Sequence, residues 1–285
     1  MPAHRGLAAL GGRTARFAVP VLAAAVLVAA GVASAALASP DSRQSTRPTI
    51  VLVHGAWADG SSWSAVVTKL QQDNYPVLVA PNPLRGLSAD AGYLKDFLST
   101  IPGPVVLVGH SYGGAVITNA ATGNPNVKAL VYDDAYIPDV HETITDLSGP
   151  NSALAPAAKN PMAVFKLVPY PGAPDGVADT YVLPSVFPGA FGADLPRPLT
   201  AALTVQQPPT SLVALVEPSG APAWKTIPSW DIAGRQDKII PLDRQREMAH
   251  RAKSQVTEID SSHLSLISHP DAVVRVIETA ARSTC

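Results

Sequence analysis

Residues 109–114, with the sequence G-H-S-Y-G-G, constrain the fold more than any other part of the chain. They follow the apolar run 105–108, which predicts a buried strand, and precede the alanine-rich run 115–121, which predicts a helix. Ser111 therefore lies at a strand-to-helix turn, the setting in which G-x-S-x-G lifts a serine above the edge of a sheet. A glycine-rich turn with an incidental serine is the alternative, and the flanking strand and helix disfavour it.

Strand and helix patterns alternate on both sides of this turn. Amphipathic stretches such as residues 63–70 and 242–252 predict helices. Short, mostly apolar runs predict six strands, at residues 49–53, 76–80, 105–108, 126–132, 229–233 and 255–259. The alternation predicts an α/β fold whose mostly parallel sheet is covered by helices on both faces.

Residues 138–228 interrupt this alternation. They hold 16 of the chain's 28 prolines, and proline at that density prevents long regular elements. Large apolar side chains are nevertheless too frequent for a solvated linker: Phe165, Tyr170, Tyr181, Phe187, Phe191 and Trp224. We predict a lid inserted into a core formed by residues 49–137 and 229–285, with a disordered interdomain loop as the alternative.

The first 38 residues have the pattern of an export signal. Three arginines precede the uncharged apolar stretch 17–38, which ends in two A-x-A patterns suited to cleavage after Ala35 or Ala38. An uncleaved membrane anchor is the alternative, because the stretch is long enough to span a bilayer. We expect a signal peptide, a disordered tether at residues 39–48, and a secreted protein with no membrane attachment after cleavage.

Composition narrows the classes of partner. The formal net charge is -1, only 15% of residues are charged, and no basic or acidic block occurs, so we expect no nucleic-acid partner. The single cysteine, Cys285, is the last residue and leaves no internal disulfide and no cysteine-based metal site or nucleophile. We predict no metal ion and no cofactor, and the sequence leaves the oligomeric state open.

Reactive side chains follow several of the predicted strands, where open parallel sheets carry their active sites. Ser111, Asp237 and His263 each lie at such an exit. A serine hydroxyl needs a base to take its proton, and the pKa of histidine suits that task. We predict Ser111 as nucleophile, His263 as base, and Asp237 as the carboxylate that orients the imidazole.

Other residues compete for the same roles. His269 could replace His263 as base, but it precedes Pro270 in a segment that looks like the start of a helix.

Asp133 and Asp134 also follow a strand and are the main alternatives to Asp237 as the acid. Asp231 and Asp243 are weaker candidates, and His54 and His110 have a simpler explanation as hydrogen-bonded structural histidines.

Ester or amide cleavage also needs two N–H donors for the oxyanion of the tetrahedral intermediate. The amide of Tyr112 is one candidate, because it begins the helix after Ser111. Gly55 lets the loop after the first strand approach closely, so the Ala56 amide is the second candidate, with Trp57 as its alternative.

Four motifs together carry a resemblance. V-L-V-H-G-A-W, G-H-S-Y-G-G, G-R-Q-D and the late S-S-H resemble the α/β-hydrolase superfamily, and most of all its small esterases, which include plant methylesterases, hydroxynitrile lyases and related bacterial esterases. The resemblance extends over residues 49–282. It implies an α/β-hydrolase fold with an eight-stranded core, of which the sequence identifies six strands.

The same resemblance separates neighbouring chemistries. Epoxide hydrolases and haloalkane dehalogenases of the superfamily use an aspartate nucleophile, where this chain has Ser111. The lyases carry a lysine after the catalytic histidine and a threonine beside the oxyanion loop, whereas here Leu264 follows His263 and residues 54–56 hold no threonine. The resemblance therefore implies a serine esterase that cleaves a small-molecule carboxylic ester through an acyl-enzyme.

We place the substrate pocket between Ser111 and the predicted lid. Its candidate lining residues are Trp57, Tyr136, Ile137, Trp224 and Leu264, each of which could equally be core packing. No lysine or arginine is placed to receive an anionic acyl group, so an apolar ester of short to medium length is expected. An amidase or peptidase with the same residues, or a non-catalytic ligand-binding module, remains as an alternative.

Overall fold

The computed structural model describes residues 47–284. The predicted signal peptide and residues 39–46 of the predicted tether lie outside the described residues. Within that tether, Pro48 is buried, and the guanidinium of Arg47 lies over the ring of Tyr75, 4.6 Å from its centroid. These two residues therefore pack on the folded domain, where the sequence predicted a solvated segment.

Nine strands lie within residues 47–284. They are β1 (Thr49–Val53), β2 (Val77–Ala80), β3 (Val105–His110), β4 (Val127–Asp133), β5 (Phe165–Val168), β6 (Asp179–Val182), β7 (Thr210–Ser211), β8 (Ser229–Gly234) and β9 (Gln255–Ile259). Six of them form one sheet in the order β2-β1-β3-β4-β8-β9, and every pairing in it is parallel. The predicted parallel sheet is confirmed, and within residues 47–284 it has six strands, where the resemblance implies eight.

Ten α-helices accompany these strands in the described chain. They are α1 (Ser64–Gln72), α2 (Leu87–Ser99), α3 (Tyr112–Ala120), α4 (Ile144–Ser148), α5 (Phe187–Ala190), α6 (Arg197–Gln206), α7 (Val213–Val216), α8 (Leu242–Ala252), α9 (Ser265–Ser268) and α10 (Pro270–Arg282). Short 3-10 helices occur at Gly60–Trp63, Ala155–Ala158, Pro161–Ala163 and Ala223–Lys225. Between residues 47 and 284, no helix combines the length and apolar character that crossing a bilayer requires.

Helices cover both faces of the sheet. Every residue of β3 is buried, and successive side chains of a strand point to opposite faces. Helix α3 contacts β1, β3 and β4, and α10 contacts β3, β4 and β8, while α2 packs on α3 and α1 packs on α10. This two-sided burial explains why the central strands read as continuous apolar runs.

Residues 138–228, which we call the lid, contain a second, small sheet. Its strands β5, β6 and β7 are antiparallel and only two to four residues long. The longest lid element is α6, with ten residues, as expected where prolines limit regular structure. The sequence did not predict this sheet, because such short strands carry no periodicity of their own.

Candidate active site

Ser111 occupies a strained turn between β3 and α3. Its backbone angles, φ 53° and ψ -124°, are unfavourable for a residue with a side chain. The turn is held by its neighbours: the Ser111 amide donates to the carbonyl of Asp133 at 3.2 Å, and the Ser111 carbonyl accepts from the amides of Gly114 at 2.9 Å and Tyr136 at 3.2 Å. Hydrogen bonds from three elements thus fix the position of the serine.

The glycines of the motif are required by close backbone contacts. A Cβ at Gly109 would lie 2.5 Å from the Gly113 carbonyl oxygen, and a Cβ at Gly113 would lie 2.5 Å from the Val53 carbonyl oxygen. A Cβ at Gly55 would lie 2.7 Å from the Cβ of Ser111. The turn and the loop after β1 therefore touch backbone to backbone at the serine.

Ser111, His263 and Asp237 form one hydrogen-bonded chain. The Oγ of Ser111 lies 2.9 Å from Nε2 of His263, and Nδ1 of His263 lies 2.7 Å from Oδ2 of Asp237. Ser111 follows β3, Asp237 follows β8 and His263 follows β9, so the carboxyl ends of parallel strands bring residues together that are 152 and 26 positions apart. The side chains predicted for nucleophile, base and acid are thus in contact.

Hydrogen-bond donors surround the buried carboxyl group of Asp237. Its Oδ1 accepts from the amides of Ile239 at 2.7 Å and Ile240 at 3.0 Å, and its Oδ2 accepts from Nε2 of Gln245 at 3.1 Å. Burial raises the pKa of Asp237, and the two backbone donors oppose that shift. As a carboxylate, Asp237 also accepts a hydrogen bond from Nδ1–H of His263. In that tautomer Nε2 carries no proton and can accept from the Ser111 hydroxyl.

His263 is held as a neutral imidazole. Its side chain is 0% exposed, and burial lowers its pKa to about 4. The ring of Phe191 packs edge-on against it, with the two centroids 5.4 Å apart. A neutral imidazole with its Nε2 facing a hydroxyl is the form in which histidine accepts a proton.

Two further histidines support the surrounding backbone. Nε2–H of His110 donates to the His263 carbonyl at 2.8 Å, and burial lowers the pKa of His110 to about 3. Nδ1 of His54 lies 3.0 Å from the Gly55 carbonyl, and burial lowers its pKa as well. Both therefore have the hydrogen-bonded structural positions that the sequence suggested.

The competing acids bind other partners. Asp134 accepts from the Gly234 amide at 2.7 Å and the Ser265 amide at 3.3 Å, and Asp133 accepts from the Ser265 hydroxyl at 2.7 Å. Burial raises the pKa of Asp134 to about 7. Neither carboxyl group hydrogen-bonds to His263, so the geometry selects Asp237 among the three.

The competing base also lies elsewhere. Nδ1 of His269 is 2.8 Å from the Ser268 hydroxyl and 3.7 Å from a carboxylate oxygen of Asp194. His269 directly precedes α10, as the sequence suggested, and has no hydrogen bond to Ser111. His263 is the histidine that the fold brings to the serine.

Two backbone amides beside Ser111 have no protein acceptor within residues 47–284, namely those of Ala56 and Tyr112. The amide of Trp57, the alternative donor, is occupied because it donates to Oγ1 of Thr210 at 2.9 Å. Both predicted oxyanion donors are therefore available, and the alternative is not.

Two cavities lie beside the aromatic side chains around Trp57, and neither is lined by Ser111 or His263. The first, of about 350 Å³, is lined in part by Trp57, Phe187 and Leu264. The second, of about 850 Å³, lies within the lid and is lined mainly by apolar side chains, among them Phe165. The rings of Trp57, which lines the first cavity, and Phe165, which lines the second, stack with centroids 5.3 Å apart.

Three residues predicted to line the pocket do not line either of these cavities. The hydroxyl of Tyr136 is 2.8 Å from the Ser148 hydroxyl. Ile137 is fully buried, and its amide lies 3.3 Å from Sδ of Met248. The indole of Trp224 donates to the Pro138 carbonyl at 2.9 Å. Trp57 and Leu264 are the two predicted pocket residues that face a common cavity.

Other residues of the site were not assigned a role from the sequence. Gln245, on α8, touches Asp237, and Thr180 and Thr210 of the lid sheet both touch Trp57. None of the three belongs to a motif, and each reaches the site only through tertiary packing. Within the described part of the chain, no group of three or more His, Cys, Asp or Glu side chains is placed to hold a metal ion.

Comparison with known proteins agrees with this fold. The model of the alpha/beta hydrolase family matches residues 50–276. A carbendazim hydrolyzing esterase of Nocardioides sp. (strain SG-4G) is 34% identical over 110 residues, 34% of this chain and 46% of that protein, so the match spans about half of that relative.

Two further proteins are similar over most of the chain. A pyrethroid hydrolase of Sphingobium wenxiniae is 27% identical over 249 residues, 80% of this chain and 85% of that protein. The crystal structure of polyneuridine aldehyde esterase superposes with a TM-score of 0.65 at 19% identity, covering 82% of this chain and 98% of that one. At this identity, the superposition establishes the shared fold.

Proposed function

Because this chain belongs to the alpha/beta hydrolase family, we propose that it is a serine hydrolase that cleaves uncharged carboxylic esters through an acyl-enzyme on Ser111. The observation that carries the proposal is the hydrogen-bonded order of Ser111, His263 and Asp237. A strained serine next to a neutral imidazole backed by a carboxylate is the arrangement that activates a hydroxyl for acyl transfer.

Acylation begins when Oγ of Ser111 attacks the carbonyl carbon of the ester and its proton passes to Nε2 of His263. The electron pair of the carbonyl π bond moves to the oxygen, which the amides of Ala56 and Tyr112 stabilise as an oxyanion. Asp237 stabilises the imidazolium that forms. When the tetrahedral intermediate collapses, the bond to the alcohol oxygen breaks and that oxygen takes the proton from His263.

Deacylation repeats these steps with water. His263 takes a proton from a water molecule, whose oxygen attacks the acyl carbon. The bond between that carbon and Oγ of Ser111 then breaks, and Oγ recovers the proton from Nε2. The carboxylic acid leaves and the serine is restored.

The cavity beside Trp57 supports an uncharged, largely apolar substrate. The cavity beside Trp57 is lined by apolar residues apart from Asp59, three serines and Gln206, and no lysine or arginine lines it. A carboxylate on the substrate would find no cationic partner there. The carbendazim hydrolyzing esterase and the pyrethroid hydrolase to which this chain is similar support a hydrolase that acts on small molecules.

We also propose that residues 1–38 direct export of the protein. The support is the sequence pattern alone: arginines, an apolar stretch and A-x-A ends. Expression of the full chain in a bacterial host, followed by N-terminal sequencing of protein from the medium, should give a start after Ala35 or Ala38. Recovery of the uncut chain in the membrane fraction would favour the anchor.

A labelling experiment tests the proposed chemistry. The folded protein is incubated with a fluorophosphonate, and peptide mass spectrometry should find the adduct on Ser111. In parallel, p-nitrophenyl esters of increasing acyl length and a matched p-nitroanilide should be assayed, with faster turnover of the esters. Ser111→Ala should lose both labelling and about 10⁴-fold or more of turnover. A folded wild-type protein without an adduct and without ester turnover would refute the proposal.

A further inference from the structure

We infer that the lid assembles the oxyanion-binding loop, and that Thr210 is the positioning residue through which it does so. The loop is residues 55–57, and its Ala56 amide is the oxyanion donor proposed above. The inference rests on the proposed function. It adds that the contacts between the lid and this loop set the rate of acyl transfer.

Trp57 is tied to the lid sheet at both its backbone and its side chain. Its amide donates to Oγ1 of Thr210 at 2.9 Å, and its indole N–H donates to the carbonyl and Oγ1 of Thr180 at 3.1 and 3.0 Å. Oγ1 of Thr180 in turn donates to the Thr210 carbonyl at 2.7 Å. Both threonines are fully buried, so no water is available to replace these bonds.

The backbone of the loop needs such support. Trp57 has a φ of 54°, a conformation that is strained for a residue with a side chain. The strain is maintained by surrounding contacts, and the bonds to Thr180 and Thr210 are the polar ones that the structure gives to Trp57. Since Ala56 directly precedes Trp57, rotation of the Trp57 backbone would reorient the donor that faces the oxyanion.

Aromatic contacts also connect the lid to His263, the proposed base. Phe165, in the lid sheet, stacks on Trp57. Phe191 packs edge-on against Trp57 with centroids 5.8 Å apart and also contacts His263. The Phe191 carbonyl accepts a hydrogen bond from the Ser262 hydroxyl at 3.0 Å. One face of the lid thus touches both the oxyanion loop and the loop that carries the base.

The lid sheet is itself fastened to the core beside this point. Arg85 forms an ion pair with Asp179 at 2.8 Å and donates to the Pro209 carbonyl at 3.1 Å. The Ser211 amide donates to the Leu84 carbonyl at 2.9 Å. Thr210 is therefore held between two anchored neighbours, and its hydroxyl presents a fixed acceptor to the Trp57 amide.

The first experiment separates positioning from general stability. Thr210→Val keeps the size and branching of the side chain but removes the acceptor for the Trp57 amide. With p-nitrophenyl butyrate, we expect kcat to fall by about tenfold to a hundredfold and KM to stay within about threefold. Thr210→Ser, which restores a hydroxyl, should recover most of kcat.

Thr204→Val is the matched control. Thr204 is another buried lid threonine, and its hydroxyl donates to the Thr200 carbonyl at 2.7 Å within α6, away from the loop. This variant should keep wild-type kcat. If Thr204→Val and Thr210→Val lower kcat equally, the effect is a general loosening of the lid and the inference is wrong.

A reversible inhibitor reads the oxyanion loop directly. An alkyl trifluoromethyl ketone accepts Oγ of Ser111 at its carbonyl carbon; the serine proton passes to Nε2 of His263 and the carbonyl oxygen becomes an oxyanion. Thr210→Val should weaken this inhibitor by about the factor lost in kcat. The corresponding methyl ketone, used as a ground-state ligand, should bind as it does to the wild-type enzyme.

The outcomes distinguish the two levels of inference. If the wild-type enzyme is active and Thr210→Val keeps its kcat and inhibitor affinity, the proposed role of the lid is refuted. The proposed ester hydrolase function would still stand. A wild-type protein without phosphonate adduct or ester turnover would refute the proposed function itself. If Thr210→Val does not fold, Thr210→Ala decides, because it removes the same acceptor for the Trp57 amide: an unchanged kcat in that variant overturns the inference.

Discussion

The hydroxyl of Tyr112 donates a hydrogen bond to the buried carboxyl group of Asp90 at 2.7 Å. Asp90 lies on α2 and also accepts from the amides of Arg85 at 3.1 Å and Gly86 at 3.4 Å. The residue that follows the serine, whose own amide we propose as an oxyanion donor, is therefore anchored at its side chain to a second helix.

Removing the Tyr112 hydroxyl should lower the stability of the protein rather than its catalytic rate. Tyr112→Phe leaves a buried carboxyl group with one donor fewer, which should lower the free energy of unfolding by about 1.5–3 kcal/mol. Tyr136→Phe is the control, because its hydroxyl faces the neutral Ser148, and it should cost about 0.5–1.5 kcal/mol. Urea denaturation measures both. A larger loss in Tyr136→Phe would contradict the importance of the carboxyl partner.

Exchanging aspartates for asparagines tests which carboxylate serves the base. Asp237→Asn should lower kcat/KM by about 10⁴-fold, because an amide that donates to Nδ1 selects the wrong tautomer of His263. Asp134→Asn should stay within about tenfold of wild type, since Asp134 has no hydrogen bond to the imidazole. Steady-state kinetics on one ester compares them. The reverse ranking would move the acid role to Asp134.

The pH dependence of kcat/KM should show activity that persists below the ordinary pKa of histidine. Only neutral His263 can accept the serine proton, so activity is lost as the pH falls through the pKa of His263 in the folded enzyme. Burial lowers that pKa to about 4, so the midpoint of the acid limb should lie well below 6.5, the ordinary value for histidine. A midpoint at or above 6.5, measured at constant ionic strength, would contradict the effect of burial.

Two glycine substitutions should have opposite effects on stability. At Gly113 a Cβ would lie 2.5 Å from a backbone oxygen of Val53, which cannot move away without shifting β1. Gly113→Ala should therefore cost more than about 3 kcal/mol. At Gly92, in α2, a Cβ would meet nothing within 4 Å, so Gly92→Ala should gain up to about 1 kcal/mol. Thermal melts of the two variants provide the comparison.

The contact among the three predicted catalytic side chains was predictable because its causes are local. Ser111, Asp237 and His263 each follow a strand whose apolar sequence is plain, and parallel strands bring their carboxyl ends to one edge. The sequence left Asp133 and Asp134 open as alternatives to Asp237, because all three follow a strand, and the hydrogen bond to His263 distinguishes Asp237. The conformation at Ser111 could likewise be inferred, since the glycines around it mark close backbone contacts.

The small sheet within the lid and the residues that line the pocket could not be predicted in the same way. Strands β5, β6 and β7 pair across gaps of many residues and are too short to show a period, so nothing local indicates them. Tyr136 and Ile137 are apolar and follow β4 closely, which fits a pocket wall and a packed core equally well. Thr180 and Thr210 reach Trp57 through the folding of the lid alone, and their residue type gives no hint of that contact.

The enclosure of Ser111 has a further consequence for what the acyl-enzyme can react with. The serine is 5% exposed and His263 is 0% exposed, and the ring of Phe191 packs against the imidazole, so an acyl group on Ser111 would have little contact with bulk water. The cavity beside Trp57 has mostly apolar walls, and next to such walls an alcohol is at less of a disadvantage against water than in free solution. We expect added alcohols to intercept the acyl-enzyme, so that this enzyme would make new esters by transacylation as well as cleave existing ones.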